Sequence, residues 1–424
     1  NAIDGNSGPT GRGMMNGNIV FIALGNGEKS NSGDSDSMNA FVVAHEVGHN
    51  LGLKHVVDDP NIIDSLPNIQ GDGNFKDRID PKYSLTDFQI KEIYNSPLVH
   101  SRISFLSKNE ASIAILDESF EPYFSNLQVK EISTFVQEKA PIDIDSARVF
   151  AKNKFSSAVL DFSPDEKEVL SFVVNKTNKW LMDNEIHLMA NQPWRFIKID
   201  NWLCGGFAHT RGSFIIISQA YLDRLTIDWN ADMDKEKESR LLTSLGGLLV
   251  HEQMHSLQRT FKSKFDRLYS KNWNFIKHQV KAENEITIDQ VSNPDAPIPE
   301  WIIPDPKDKK KFYWIRTLIT KNIDIPTMGR DFVDIAFEIN NKNNTYSVSK
   351  VNDTLVSMPL SDLDFYNKSF PVKRGLDHPN EISAYMFSDF FKARYNSKTP
   401  FLNKDSISNN NSNFFLKWIK SEMK

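Results

Sequence analysis

The sequence predicts an α+β protein built of two modules, and three observations carry that reading. Histidines four residues apart occur twice, at His45/His49 and His251/His255, each pair with a glutamate, Glu46 or Glu252, beside its first member. Strand-like runs precede both pairs: Gly17 to Leu24 ahead of the first, Trp194 to Ile199 and Gly212 to Ser218 ahead of the second. Between them, residues 107–122 break the pattern and read as a junction, dividing the chain into modules 1–108 and 109–424. At 424 residues there is chain enough for two cores.

Taken in order, the first 40 residues are rich in Gly, Asn and Ser and read as loops around one strand. Ser37 to Ala44 opens a helix whose apolar side is Val42, Val43 and Val47. Gly71-Asp72-Gly73 is a turn, and a new domain begins after residue 124, with helices expected at 125–138, 145–155 and 164–182. Leu241 to Phe261 is strongly helical, and Gly246 and Gly247 permit close approach of a neighbouring element. Phe265 to Lys277 reads as an aromatic-bearing helix, and Ser292 to Pro299 as a proline-rich loop. Residues 311–319 and 330–351 read as strands with a hairpin around Asn340 to Asn344, a small sheet inserted within the second module. Pro379 opens a further helix with Ile382, Tyr385, Met386 and Phe390 at helical spacing. A polar loop at Asn409 to Asn413 precedes a last helix ending at Lys424.

The first pair belongs to a longer motif, His45-Glu46-Val47-Gly48-His49-Asn50-Leu51-Gly52-Leu53-Lys54-His55. Side chains at i and i+4 share a helix face, so His45 and His49 can address one metal ion. His55 cannot lie on that face of a straight helix. The chain must turn first, and Gly52 adopts positive φ cheaply. Three imidazoles leave a fourth zinc position open for water, and Glu46 can take that water's proton. A structural zinc site would want four protein ligands and no adjacent base.

This segment resembles the metzincin metallopeptidases, whose signature is HExxHxxGxxH. The resemblance covers roughly Asn18 to Leu106, with His55 to Ile63 similar to the run towards a matrixin-type methionine turn and Ser84 to Ile93 similar to the closing helix. It departs at Ile63, which stands where the family has methionine, and in the 44 residues ahead of His45, fewer than the family uses. The first module is therefore expected to be N-terminally truncated here. In the second motif, Gln258 and Phe261 occupy the positions of Gly52 and His55. That pattern resembles gluzincins, in which a glutamate on a later helix is the third ligand. The resemblance implies a zincin-like sheet packed on each active-site helix, Zn2+ as cofactor, and hydrolysis of a protein or peptide substrate. Its third ligand falls on Glu381, early on the Pro379 helix, ahead of Glu283, Glu285 and His278; Tyr385 or His378 could face the oxyanion. Gly212 to Ser218 would be the strand that pairs with substrate.

Composition sets the remaining bounds. The hydrophobic fraction of 39% and charged fraction of 25% are those of a globular protein. A net charge of −5 gives no reason to expect nucleic acid, and no apolar run is long enough for a membrane span. Cys204 is the only cysteine, so no intrachain disulfide forms. Five of the 10 histidines fall in the two motifs, and the rest form no further helical pair. An extracellular or cell-envelope location is expected, with any signal peptide upstream of Asn1; the sequence is silent on oligomeric state. Two rival readings are that one module is catalytic and the other a degenerate binding or autoinhibitory domain, and that the whole is a non-enzymatic binding protein on a zincin scaffold. Both Glu46 and Glu252, which a binding scaffold does not need, argue against the last.

Overall fold

The computed structural model describes residues 11–13, 20–22, 103–227, 229, 233–320, 323–395 and 410–424. The chain is α+β and forms two compact units, Asn1–Ser104 with Asn191–Pro193, and Phe105–Ala190 with Trp194–Lys424. Within the first, β1 (Gly11–Gly13) pairs antiparallel with β2 (Val20–Ile22), Arg12 opposite Phe21.

A five-stranded sheet, whose first strand falls at the boundary of the two units, organises the second. Its strands are β3 (Ile103–Phe105), β4 (Val159–Leu160), β5 (Trp194–Ile199), β6 (His209–Arg211) and β7 (Phe214–Ser218), in the order β3-β5-β7-β6 with β4 on the end of β5. β5 and β7 run parallel, Phe196 opposite Ile215, and all six residues of β5 are buried. A strand covered on both faces is buried along its whole length, here with Arg195 and Lys198 interrupting the apolar run. Ile197, Ile199 and Ile216 pack into a core with Phe124, Phe135, Ala147, Ala151 and Phe155 from the helices and loop before β4. Phe196, Lys198 and Ile215 alternate to the other face. There Lys198 pairs with Glu166 of the helix Pro164–Asp183 through two 2.9 Å contacts, both side chains buried. That helix is started by a capping box of Ser163 and Glu166, with Pro164 at its first position.

Among the described residues β6 and β3 are the ends of this sheet, and β7 lies inside it. The expectation that Gly212 to Ser218 forms the edge is therefore corrected. Gly212, at φ +56°, turns the chain so that β6 folds back antiparallel on β7. Three short polar-ended residues, His209-Thr210-Arg211, carry no strand signal of their own, and tertiary pairing makes them one.

The motif helix, Gly247–Thr260, follows a single π turn at Leu242–Gly246. All of it is buried except Leu248, Arg259 and Thr260. It lies against the glutamate helix, Pro379–Arg394, and the two glycines allow the approach. A Cβ on Gly246 would sit 3.1 Å from the Phe391 ring and 3.0 Å from Thr177 Oγ1. Ser388 Oγ donates to the Gly247 carbonyl at 2.6 Å.

Between these helices in sequence comes an inserted six-stranded antiparallel sheet, order β12-β11-β10-β9-β8: β8 (Ile276–Lys277), β9 (Trp301–Pro304), β10 (Phe312–Ile319), β11 (Phe332–Lys342) and β12 (Thr345–Val348), with the strand Ser357–Pro359 also paired to β11. Asn343 and Asn344, both at positive φ, make the hairpin turn. Ile302, Trp314, Phe337, Ile339 and Tyr346 give this sheet a core of its own.

Several boundaries differ from expectation. The junction at 107–122 contains a helix, Lys108–Ala114, opened by a Ser107/Glu110 capping box. The helix expected over 125–138 is Val129–Val136, ended by Gln137 at φ +52°. The one expected over Phe265 to Lys277 is Lys262–Arg267 plus a π turn, Leu268–Asn272. Asn274 at φ +61° stops it, and Ile276 pairs with Ile302 instead. The last helix begins at Asn410, inside the polar run expected to be loop.

The two glycines predict different tolerances. Gly246→Val should lose about 2 kcal/mol in urea unfolding, because it overpacks the rigid Phe391 ring. Gly247→Ala should stay within about 1 kcal/mol of wild type, since its Cβ meets only the flexible Lys392 side chain and helix propensity rises.

Candidate metal centre

His251 and His255 stand one turn apart on the motif helix, and the facing turn of the glutamate helix brings in Glu381. His251 Nε2 and His255 Nε2 are 3.2 Å apart. Glu381 Oε2 lies 3.5 Å from the first nitrogen and Oε1 3.6 Å from the second. Ligands held at 2.0–2.1 Å around a tetrahedral zinc are about 3.3 Å from one another. The three side chains, all buried, form a group that could hold a metal ion. The alternatives lie elsewhere: Glu283 pairs with Lys350, Glu285 is exposed, and the His278 ring packs on Tyr346.

Tautomer and charge suit that role. Both amide hydrogens of Gln258 are committed, donating at 2.9 Å to the Asn380 carbonyl and to Ser383 Oγ. Its Oε1, 2.8 Å from His255 Nδ1, must therefore accept, so His255 carries its proton on Nδ1 and presents a bare Nε2. Burial holds His255 below the usual histidine range and His251 down to about 4. Both rings are neutral donors at pH 7. Burial pushes Glu381 up, opposed by His255. Two ring nitrogens and a carboxylate converging in a dry site call for a positive centre between them.

Glu252 sits beside this group. Thr210 Oγ1 on the edge strand lies 2.9 Å from Glu252 Oε2 and 3.0 Å from the Glu252 backbone carbonyl. Burial, and then the Asp295 carboxylate, push Glu252 well above the usual carboxylate range. Glu252, His255 and Asp295 place ligand atoms within 4.8 Å of one another. A glutamate of raised basicity next to a metal position can receive a proton from a water there.

The surrounding shell joins the two helices. Ser383 Oγ meets Tyr269 OH at 3.1 Å, and Asn293 Nδ2 donates to Glu381 Oε1 at 2.9 Å and Asp377 Oδ2 at 3.3 Å. The Tyr385 ring lies 4.3 Å from that of His251, with the Arg374 guanidinium 4.7 Å from its centroid. His378 accepts from Asn380 N at the start of the glutamate helix, which gives it a capping role.

Sequence reasoning passed over Gln258, Thr210, Asn293 and Asp295. Gln258 had a signal, standing three residues after His255 on the same helix face. The other three reach the site only through tertiary folding. His45, Glu46, His49 and His55, with Gly52 and Ile63, lie outside the described residues. No protein-family model, curated protein or solved structure matches this chain. Among the described residues no helix is long and apolar enough to cross a membrane.

Gln258→Leu should weaken metal binding roughly 10- to 100-fold, as loss of an outer-shell partner does, while leaving the fold intact. Isothermal titration of the metal-stripped protein, with circular dichroism beside it, checks both halves.

Proposed function

We propose that the chain is a zinc-dependent endopeptidase of two zincin-like modules, acting on protein or peptide substrates. The observation that carries the reading is the buried triangle of His251, His255 and Glu381, at tetrahedral spacing, with Glu252 next to it. A bound zinc would polarise a peptide carbonyl and lower the pKa of a water to about 7. The chain's own groups do the rest. Glu252 accepts the proton of the attacking water as the new C–O bond forms, then passes it to the amine as the C–N bond breaks. Thr210 keeps Glu252 turned towards that water. Gln258 keeps the His255 lone pair aimed at the metal. The same division of labour is proposed for His45, His49 and His55 with Glu46 as base, on the strength of their motif alone.

The test uses full-length protein carrying His45→Ala and His49→Ala, so that one candidate site remains. It should hold one zinc per chain and lose it on Glu381→Ala. Glu252→Gln should keep the zinc and lower casein cleavage about 100-fold or more. A protein with no zinc, or with cleavage unchanged by Glu252→Gln, would falsify the reading.

A further inference from the structure

The candidate centre is buried: His255 is fully so, and His251, Glu252 and Glu381 are nearly so. Its cover includes the segment Val291–Pro299. Loops usually run over the surface, because their backbone groups need water. Here Val291, Ser292 and Pro294 to Pro297 are buried. The segment finds its partners in the machinery itself. Asn293 donates to Glu381 Oε1. The Pro294 carbonyl accepts at 2.8 Å from Arg259, in the last turn of the motif helix. Asp295 Oδ1 accepts at 2.6 Å from the backbone N–H of Thr210.

That last bond identifies what the segment replaces. Among the described residues β6 has one strand neighbour, β7, and the Thr210 N–H given to Asp295 points to the side of β6 away from it. An extended peptide adding to a sheet edge would offer a carbonyl oxygen to that N–H. The Asp295 carboxylate stands in for such a carbonyl, and it also reaches the space beside Glu252 and His255. Two further bonds stiffen the turn: Asp295 N donates to Asn293 Oδ1 at 2.9 Å, and Ala296 N to the Asn293 carbonyl at 3.0 Å. Pro294, Pro297 and Pro299 restrict it further.

We infer that Val291–Pro299 is a built-in plug, with Asp295 occupying the substrate's place at the edge strand, and that the enzyme is latent until this segment moves. The inference rests on the proposed metal site.

Its test keeps the full chain with His45→Ala and His49→Ala and compares it with the same protein bearing Asp295→Ala. Both are loaded with Co2+ and titrated with acetohydroxamate, followed by the visible cobalt spectrum; the zinc forms are assayed on casein. Expected are equal metal content, half-saturation by acetohydroxamate at about ten-fold lower concentration in the variant, and casein cleavage faster by a similar factor, since apparent affinity scales with the open fraction. Pro294→Gly with Pro297→Gly, which loosens the turn and removes no polar group, should shift both readouts the same way and serves where Asp295→Ala fails to fold. Equal half-saturation in all proteins overturns the plug while leaving the metal site standing. Easier hydroxamate entry with slower casein cleavage also overturns it, by placing Asp295 among the groups that act on substrate. Absence of metal from every protein removes the peptidase reading, and the plug with it.

Discussion

Everything at the candidate centre depends on how closely two helices lie. The motif helix supplies two nitrogens and the glutamate helix one carboxylate, and their distances are those of a single coordination sphere only because the backbones come close. Gly246 leaves room for the Phe391 ring that a side chain there would push away. The contact is then fixed by polar bonds, Ser388 to the Gly247 carbonyl at one end and Gln258 to Asn380 and Ser383 at the other. Gln258 is the more consequential, because one amide sets the tautomer of His255 and ties it to the turn that carries Glu381. Orientation of a ligand and placement of its neighbour are thus a single constraint.

The sheet contributes the other wall. Its parallel pair, β5 and β7, is buried on both faces, and β6 is left as a short edge beside the motif helix. Thr210 is the link, its hydroxyl on Glu252 and its backbone N–H on Asp295. The two carboxylates are brought together by one residue of an edge strand. With Glu381 they make three buried carboxyl groups; burial favours the neutral forms of Glu252 and Glu381, and a divalent cation would favour the ionised ones.

Much of this was legible in the sequence, and the limits have physical causes. Helices with strong caps and apolar spacing, such as Pro164–Asp183 and Pro379–Arg394, stand where periodicity puts them. The strand Trp194–Ile199 does too, its apolar positions outweighing Arg195 and Lys198, as does the Asn343-Asn344 turn. That His251 and His255 share a helix face follows from their spacing, whereas Glu381 comes from the resemblance of the motif, among other candidates, and the fold brings it beside them. The rest depends on contacts distant in sequence. β6 is a strand by virtue of its neighbour, not its composition. The helix expected over Phe265 to Lys277 fails because Tyr269, Trp273 and Phe275 serve an aromatic core, with Asn274 breaking the turn between them. Asn293 and Asp295 sit in a segment whose prolines announce a loop and say nothing of where it goes.

The inserted antiparallel sheet has an effect on the order of assembly. His251 and His255 are joined by one turn of helix, but Glu381 follows only after a six-stranded sheet has paired and packed. A cation bridging them would close a very long loop, and long loops are entropically unfavourable to close and slow to form. During folding the two histidines would be ready early, and the carboxylate would arrive last, once Trp314, Phe337 and Tyr346 have formed their own core. Metal capture would then report completion of the whole unit, and a chain stalled in the insertion would hold at most a two-coordinate, loosely bound ion.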